Sequence, residues 1–214
     1  MTASYLERSL SDYLADASAG RPTPGGGSVA ALAGALAMSM AEMALNFTVG
    51  KKKFQAVEDE ARKLLDAVSC CRRKCVELVD RDVASYAVVS AAYALPKSTD
   101  EEAGKRTAAI QAALRVAMEP PLETFRALAD VFPALARCVQ VANPNLVSDV
   151  GVSAVIARSA LLAARLNVEI NLVSLKDPAL VASIRDEMER ASDEAVRLAD
   201  ETHRLVTCRI AGGD

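Results

Sequence analysis

Histidine occurs once in this chain of 214 residues, as His203, and tryptophan does not occur at all. One distal histidine cannot complete a Ser-His-Asp or Cys-His arrangement. Nor can Asp200 and His203 form a di-iron site without a second histidine and several inward carboxylates, and Cys71 with Cys75 has no other thiol or histidine at the spacing a zinc site needs. His203 lies near the end of a charged segment and suits a surface or dipole-stabilising position. The five cysteines, Cys70, Cys71, Cys75, Cys138 and Cys208, are odd in number and adjacent or helix-spaced where they cluster. They read as reduced thiols of a cytosolic protein, and no metal is implied. Aromatic residues make up 4% of the chain against 51% hydrophobic residues, so the core is built from Ala, Leu and Val, which favours closely packed helices. No segment shows sustained two-residue alternation with β-branched enrichment, which leaves no convincing strand, and no sequence repeat is present. A formal net charge of -3 argues against general nucleic-acid binding. Glu7, Asp12 and Asp16 interrupt the first twenty residues, so these do not form a secretory signal. Residues 29–47 are almost long enough to span a bilayer, but Ala and Gly dominate them and Glu42 interrupts them, so no membrane partner is expected. The expectation is a cytoplasmic all-α protein, folded as a single domain over residues 1–214.

What is present is organised around Arg21-Pro22-Thr23-Pro24-Gly25-Gly26-Gly27-Ser28. Three consecutive glycines let a ligand or another backbone approach closely. Ser28 is a suitable N-cap for the apolar, small-residue helix that follows. The first amides and the positive dipole end of that helix would face whatever sits against the glycines, as a site for an anion or carbonyl. The plainer alternative is a flexible turn leading into a buried helix. Gly50 suits the left-handed cap at the far end of this helix, followed by Lys51, Lys52 and Lys53. These lysines are either a solvated cap or a seat for an anionic ligand.

Residues 5–17 have the spacing of a short amphipathic helix. From Val57 onward an apolar stripe through Ala61, Leu64, Val68, Cys75, Val79, Val83, Tyr86 and Tyr93 predicts one long helix. Asp82 stands at the margin of this stripe, where a carboxylate must find a partner or shift its pKa. Leu95-Pro96-Lys97 ends the helix. Ser98 with Glu101, and Thr99 with Glu102, are two overlapping capping boxes for the next one. That helix is expected to stop at Glu119-Pro120-Pro121, with a further helix, kinked or split at Pro133, over residues 122–141. Asn143-Pro144-Asn145 makes a turn, and Ser148 and Asp149 suit the cap of a second small-residue helix, the natural packing mate of the first. Asp177-Pro178 opens a last, more charged helix. An antiparallel bundle of long helices results. The two small-residue helices offer more packing surface than one bundle readily covers, so a homodimer is expected.

Five of these stretches together resemble a known family. They are Pro22-Thr23-Pro24-Gly25-Gly26-Gly27-Ser28-Val29-Ala30-Ala31, Asn46 with Gly50-Lys51-Lys52-Lys53-Phe54, Leu95-Pro96-Lys97-Ser98-Thr99, Asn143-Pro144-Asn145, and Ser148-Asp149-Val150-Gly151-Val152. In this order, over nearly the whole chain, they resemble the cyclodeaminase/cyclohydrolase family of folate enzymes. That family includes the cyclodeaminase half of formiminotransferase-cyclodeaminase and stand-alone methenyltetrahydrofolate cyclohydrolases. One departure is Glu119, where the family pattern has an apolar residue before a proline-leucine pair.

The resemblance implies a reduced folate as substrate, a tetrahydrofolate derivative that can carry a polyglutamate tail, and no metal. Lys51, Lys52 and Lys53 suit the anionic tail. Gly25, Gly26, Gly27 and Ser28 would bind a carbonyl or carboxylate, and Asn143 and Asn145 would hold the pterin edge, although turn formation alone also accounts for them. Asp82 or Asp149 would serve the cationic one-carbon centre and move its protons. The alternative reading is a non-catalytic folate-binding bundle or interaction module.

Overall fold

The computed structural model describes residues 4–212, and among them every regular element is helical. Six α-helices follow one another: α1 (Leu10–Ser18), α2 (Gly26–Asn46), α3 (Glu58–Tyr93), α4 (Asp100–Val141), α5 (Val147–Leu172) and α6 (Pro178–Ile210). Short 3-10 turns occupy Tyr5–Glu7, Lys52–Val57 and Pro144–Leu146.

The centre of the bundle is α2, which packs against α3, α4 and α5. Ala30, Ala37, Met38, Ala41, Ala44 and Leu45 are fully buried along it. Small side chains let the neighbouring helices come close. A Cβ on Gly34 would meet Cys75 Sγ at 3.0 Å and Leu128 at 3.2 Å. Of the few rings, Phe125 and Phe132 of α4 are wholly buried, each contributing about 1.5–3 kcal/mol by removing its surface from water. The expected pairing of the two small-residue helices is present. Asn167, late in α5, lies against Gly26 at the start of α2, and Thr48, just past the end of α2, accepts the Asn143 N–H at 2.8 Å before α5 begins. Both α2 and the stretch Pro144–Leu172 are long and apolar enough to cross a bilayer by length and composition, and here α2 packs against α3, α4 and α5 along one side while Val29 and Leu36 stay exposed.

Four local expectations are corrected. Residues 5–17 are not one helix: Ser9 forms a capping box with Asp12 that begins α1 afresh, while the preceding turn is held by Asp80, which accepts from the Ser4 hydroxyl and the Tyr5 N–H. Only Tyr13 of α1 is buried, and Leu10 and Leu14 face solvent. Pro120 and Pro121 do not end a helix, because α4 runs unbroken for 42 residues through Pro120, Pro121 and Pro133. Burial on both sides holds that backbone, with Pro120, Pro121 and Leu122 all inside the bundle, and Thr124 Oγ1 donates to the Pro120 carbonyl at 2.9 Å. Ser148 and Asp149 do not cap α5, which starts at Val147 straight from the Pro144–Leu146 turn, so Asp149 lies in its first turn. The cap of α2 is Gly25 and not Ser28, because the glycines themselves are wound into the first turn. In contrast, Thr99 with Glu102 and Asp177 with Pro178 cap α4 and α6 as their residues predict.

Glycines with and without neighbours should respond oppositely to a methyl group. Gly104 has open space around it on exposed α4, so Gly104→Ala is expected to raise stability by about 1 kcal/mol from helix propensity. A Cβ on Gly151 would stand 2.8 Å from Val206 Cγ1, a stiff β-branched neighbour, so Gly151→Ala should instead lower stability by roughly 1–3 kcal/mol. Chemical denaturation of the two variants beside the parent checks both signs.

Candidate active site

A cleft of about 390 Å³ opens where the start of α2 meets α3, α4 and α5. One wall is the loop Pro22, Thr23 and Gly25 with Gly26 and Gly27. α3 supplies Asp82, Tyr86 and Tyr93, α4 supplies Ala117 and Pro121, and α5 supplies Asn167 and Asn171. The upper part of α3 is thinly packed, with Tyr86 and Tyr93 largely exposed, so the apolar stripe expected to be buried there lines the cleft instead.

Asp82 is the centre of this arrangement. Its Oδ2 accepts the N–H of Ser28 in the first turn of α2 at 2.9 Å, so a side chain from a different helix does the work of a cap. The approach depends on Gly27, where a Cβ would fall 2.0 Å from Asp82 Oδ1. Here the glycine run serves a close contact between side chain and backbone. Asp82 is mostly desolvated, and burial raises its pKa while the Ser28 amide partly opposes the shift. Among the described residues no cation pairs with it: Arg81, its neighbour in sequence, points to Glu77 and Glu123. A carboxylate in that state can take a proton and return it, and when ionised it attracts a cationic carbon centre. The Gly26 and Gly27 N–H groups have no acceptor among the described residues, so they remain available to an oxygen in the cleft.

The sequence-predicted residues fall at two ends of the molecule. Gly25, Gly26, Gly27 and Asp82 converge on the cleft. Ser28 contributes only its amide, because its hydroxyl is fully buried against the Tyr13 hydroxyl at 3.0 Å. Lys51, Lys52, Lys53, Asn143, Asn145 and Asp149 lie at the opposite end of α2, about 30 Å away for a 21-residue helix. Lys51 and Lys52 line an open depression of about 370 Å³ with Gly50, Gln55 and Glu58. Asn143 Oδ1 accepts the Asn145 N–H at 3.1 Å, the turn-forming role, so within one chain this pair is not beside the Asp82 cleft. Two cleft residues, Asn167 and Asn171, escaped the sequence reading. Their signal was available as two amides one turn apart in Leu166-Asn167-Val168-Glu169-Ile170-Asn171, on a helix rich in apolar residues.

The cleft thus brings a desolvated carboxylate, with no cationic partner among the described residues, beside the first turn of a helix, an arrangement able to exchange a proton. The protein belongs to the formiminotransferase-cyclodeaminase family, whose model matches residues 9–190. It is 34% identical over 201 residues to a methenyltetrahydrofolate cyclohydrolase of Methylorubrum extorquens, covering 94% of this chain and 97% of that one. It is 32% identical over 192 residues to the formimidoyltransferase-cyclodeaminase of Rattus norvegicus, covering 90% of this chain but 36% of that longer protein. The crystal structure of a formiminotetrahydrofolate cyclodeaminase from Thermotoga maritima superposes with a TM-score of 0.77 at 28% identity, over 98% of both chains.

The raised Asp82 pKa has a signed consequence for stability. A carboxyl whose folded pKa exceeds its ordinary value near 3.8 favours the fold below that value, and the contribution is lost as pH rises through the folded pKa. Asp82→Asn is neutral throughout and keeps an oxygen for the Ser28 amide. Its melting temperature relative to the parent should therefore climb between acid and neutral pH. A relative fall over that interval would mean that the helix amides outweigh desolvation.

Proposed function

We propose that this chain, acting as a single domain, is a folate one-carbon enzyme that interconverts N5- and N10-substituted tetrahydrofolates. The activity is methenyltetrahydrofolate cyclohydrolase or formimidoyltetrahydrofolate cyclodeaminase, the reactions named for its relatives. The observation that carries this reading is Asp82: desolvated, free of any cation, and fixed beside the unpaired amides of Gly26 and Gly27.

In the hydrolytic direction, water adds to the methenyl carbon between N5 and N10 while Asp82 accepts its proton. The new hydroxyl oxygen sits against the Gly26 and Gly27 N–H groups. Asp82 then returns the proton to N5, the C–N5 bond breaks as the hydroxyl gives up its own proton to solvent and becomes the formyl carbonyl, and the 10-formyl product leaves with one proton released overall. In cyclodeamination, N10 adds to the carbon of the protonated formimino group, Asp82 carries the N10 proton to the departing NH2, and ammonia leaves as the methenyl cation forms. Both routes pass through a tetrahedral carbon and need no group beyond this proton carrier and the amides. The methenyl species absorbs in the ultraviolet where formyl and formimino folates hardly do, so one optical assay with each substrate distinguishes the two directions. Asp82→Asn should lower turnover by roughly two to four orders of magnitude in a folded protein. Gly27→Ala should produce a comparable loss with the carboxylate still present but displaced. Asp149→Asn tests the rival carboxylate, which within one chain lies at the far end of α2. Normal turnover of Asp82→Asn would remove the proposed chemistry.

We propose further that the helices form an antiparallel bundle and that two copies associate through α5. The contacts between the end of α5 and the start of α2 support the first point. For the second, Val152, Val155, Leu166, Ile170 and Val173 leave an exposed apolar stripe along α5, with Val29 and Leu36 exposed on α2. A second copy related by a two-fold axis across this stripe would run the opposite way. The lysine end of one chain would then approach the cleft of the other, which is where an anionic polyglutamate tail needs cations. Light scattering should give twice the chain mass, and Leu36→Glu with Leu166→Glu should give a monomer. Lys51→Ala with Lys52→Ala should weaken polyglutamylated folate more than monoglutamate, with the gap narrowing at high salt. Equal weakening of both ligands at every ionic strength would refute the assignment of the lysines.

A further inference from the structure

The cleft contains two polar side chains that proton transfer does not use. Asn167 Nδ2 donates to the Ala163 carbonyl at 2.8 Å, and Asn171 Nδ2 donates to the Asn167 carbonyl at 2.8 Å. A carbonyl can only accept, so each amide nitrogen must face back along α5, and this fixes the orientation of both groups. Each Oδ1 therefore lies at the free end of its amide. Among the described residues neither oxygen receives a hydrogen bond, and both residues line the cleft. Asn167 is also braced from the other side, since its amide lies 2.9 Å from where a Cβ of Gly26 would be.

We infer that Asn167 and Asn171 read the donor edge of the pterin ring and thereby set the orientation of the substrate; the inference rests on the folate reading above. The two oxygens lie one helical turn apart, about 6 Å along the axis. A reduced pterin presents two adjacent donors, the N3–H and the 2-amino group, beyond which N1 accepts, and it is neutral there. Neutral acceptors suit that edge, whereas the cationic carbon belongs with the single carboxylate lining the cleft, Asp82, on the facing helix. The division of labour fixes which way round the ring enters: amine edge to α5, one-carbon bridge to α3 and the glycines. It also gives a reason for the tethered nitrogens. A freely rotating amide would accept and donate equally well, and would not reject a ring presenting its acceptors.

The test pairs protein variants with a ligand variant. Equilibrium titration would use 5-formyltetrahydrofolate, and separately its 2-desamino-2-methyl analogue, against the parent protein, Asn167→Leu and Asn171→Leu, with Asn171→Ala as a variant that adds no bulk. The parent should bind the analogue about tenfold or more weakly, as expected for lost hydrogen bonds to fixed partners. The asparagine variants should bind 5-formyltetrahydrofolate more weakly by a similar factor and lose most of their preference for the amine. In steady state the variants should raise KM with kcat little changed, unlike Asp82→Asn. A merely structural role would weaken both ligands alike and leave the preference intact, which would overturn the inference while the folate reading stands. A parent protein that binds neither ligand would overturn both.

Discussion

The contact between the Asp82 carboxylate and the first turn of α2 determines most of what this molecule can do. A helix start normally finds its cap in a side chain of its own segment. Here the segment consists of glycines with no side chain to offer, and the carboxylate arrives from α3, 54 residues away in sequence. One hydrogen bond therefore joins two helices, fixes the glycine loop and holds an acid in a desolvated position in the cleft lining. Capping uses Oδ2, while Oδ1 lies against Gly27, where an added Cβ would fall 2.0 Å from it. Burial and the helix amide act on the carboxyl in opposite senses, and burial prevails.

The rest of the bundle exists in a form that permits this contact. With little aromatic volume available, the helices pack by close approach, at Gly34 against Cys75 and Leu128 and at Gly151 against Val206. α3 and α4 are joined by charged pairs such as Arg81 with Glu123, and Arg137 with Glu60. Gln111 holds the start of α4 to the end of α5 through the Ser174 carbonyl and the Lys176 N–H. These ties run along the bundle, with Arg137–Glu60 at the end away from the cleft, and the cleft's own walls belong to long helices with only one side formed by a loop. Substrate positioning thus falls to elements that cannot easily rearrange.

Much of this was legible in the residues. Helical periodicity identified α3, α5 and α6, and capping chemistry located the starts of α4 and α6, because those signals are local. Reading failed where tertiary burial overrode a local rule. Pro120 and Pro121 remove two amide donors, yet packing on both sides keeps α4 continuous. Ser28 has the chemistry of a cap, but its hydroxyl is taken by Tyr13 from another helix. Asp82 was identifiable as a carboxylate at the margin of an apolar stripe, but its partner was not, since a contact across 54 residues leaves no trace in spacing. The asparagines illustrate the same limit. Asn143 and Asn145 attracted attention by standing in a conspicuous turn, whereas Asn167 and Asn171, inside a helix, are the pair in the cleft.

The absent Cβ of Gly27 also constrains how such a chain can change over generations. Alanine at that position would put a methyl carbon inside the space of the Asp82 carboxylate, and a longer acid at position 82 would push against the same backbone. The constraint runs one way: the glycine cannot gain a side chain while the acid keeps its place, whereas the acid can lose its charge, as in Asp82→Asn, without a clash. The two positions form a ratchet, in which a chain that keeps the acid must keep the glycine.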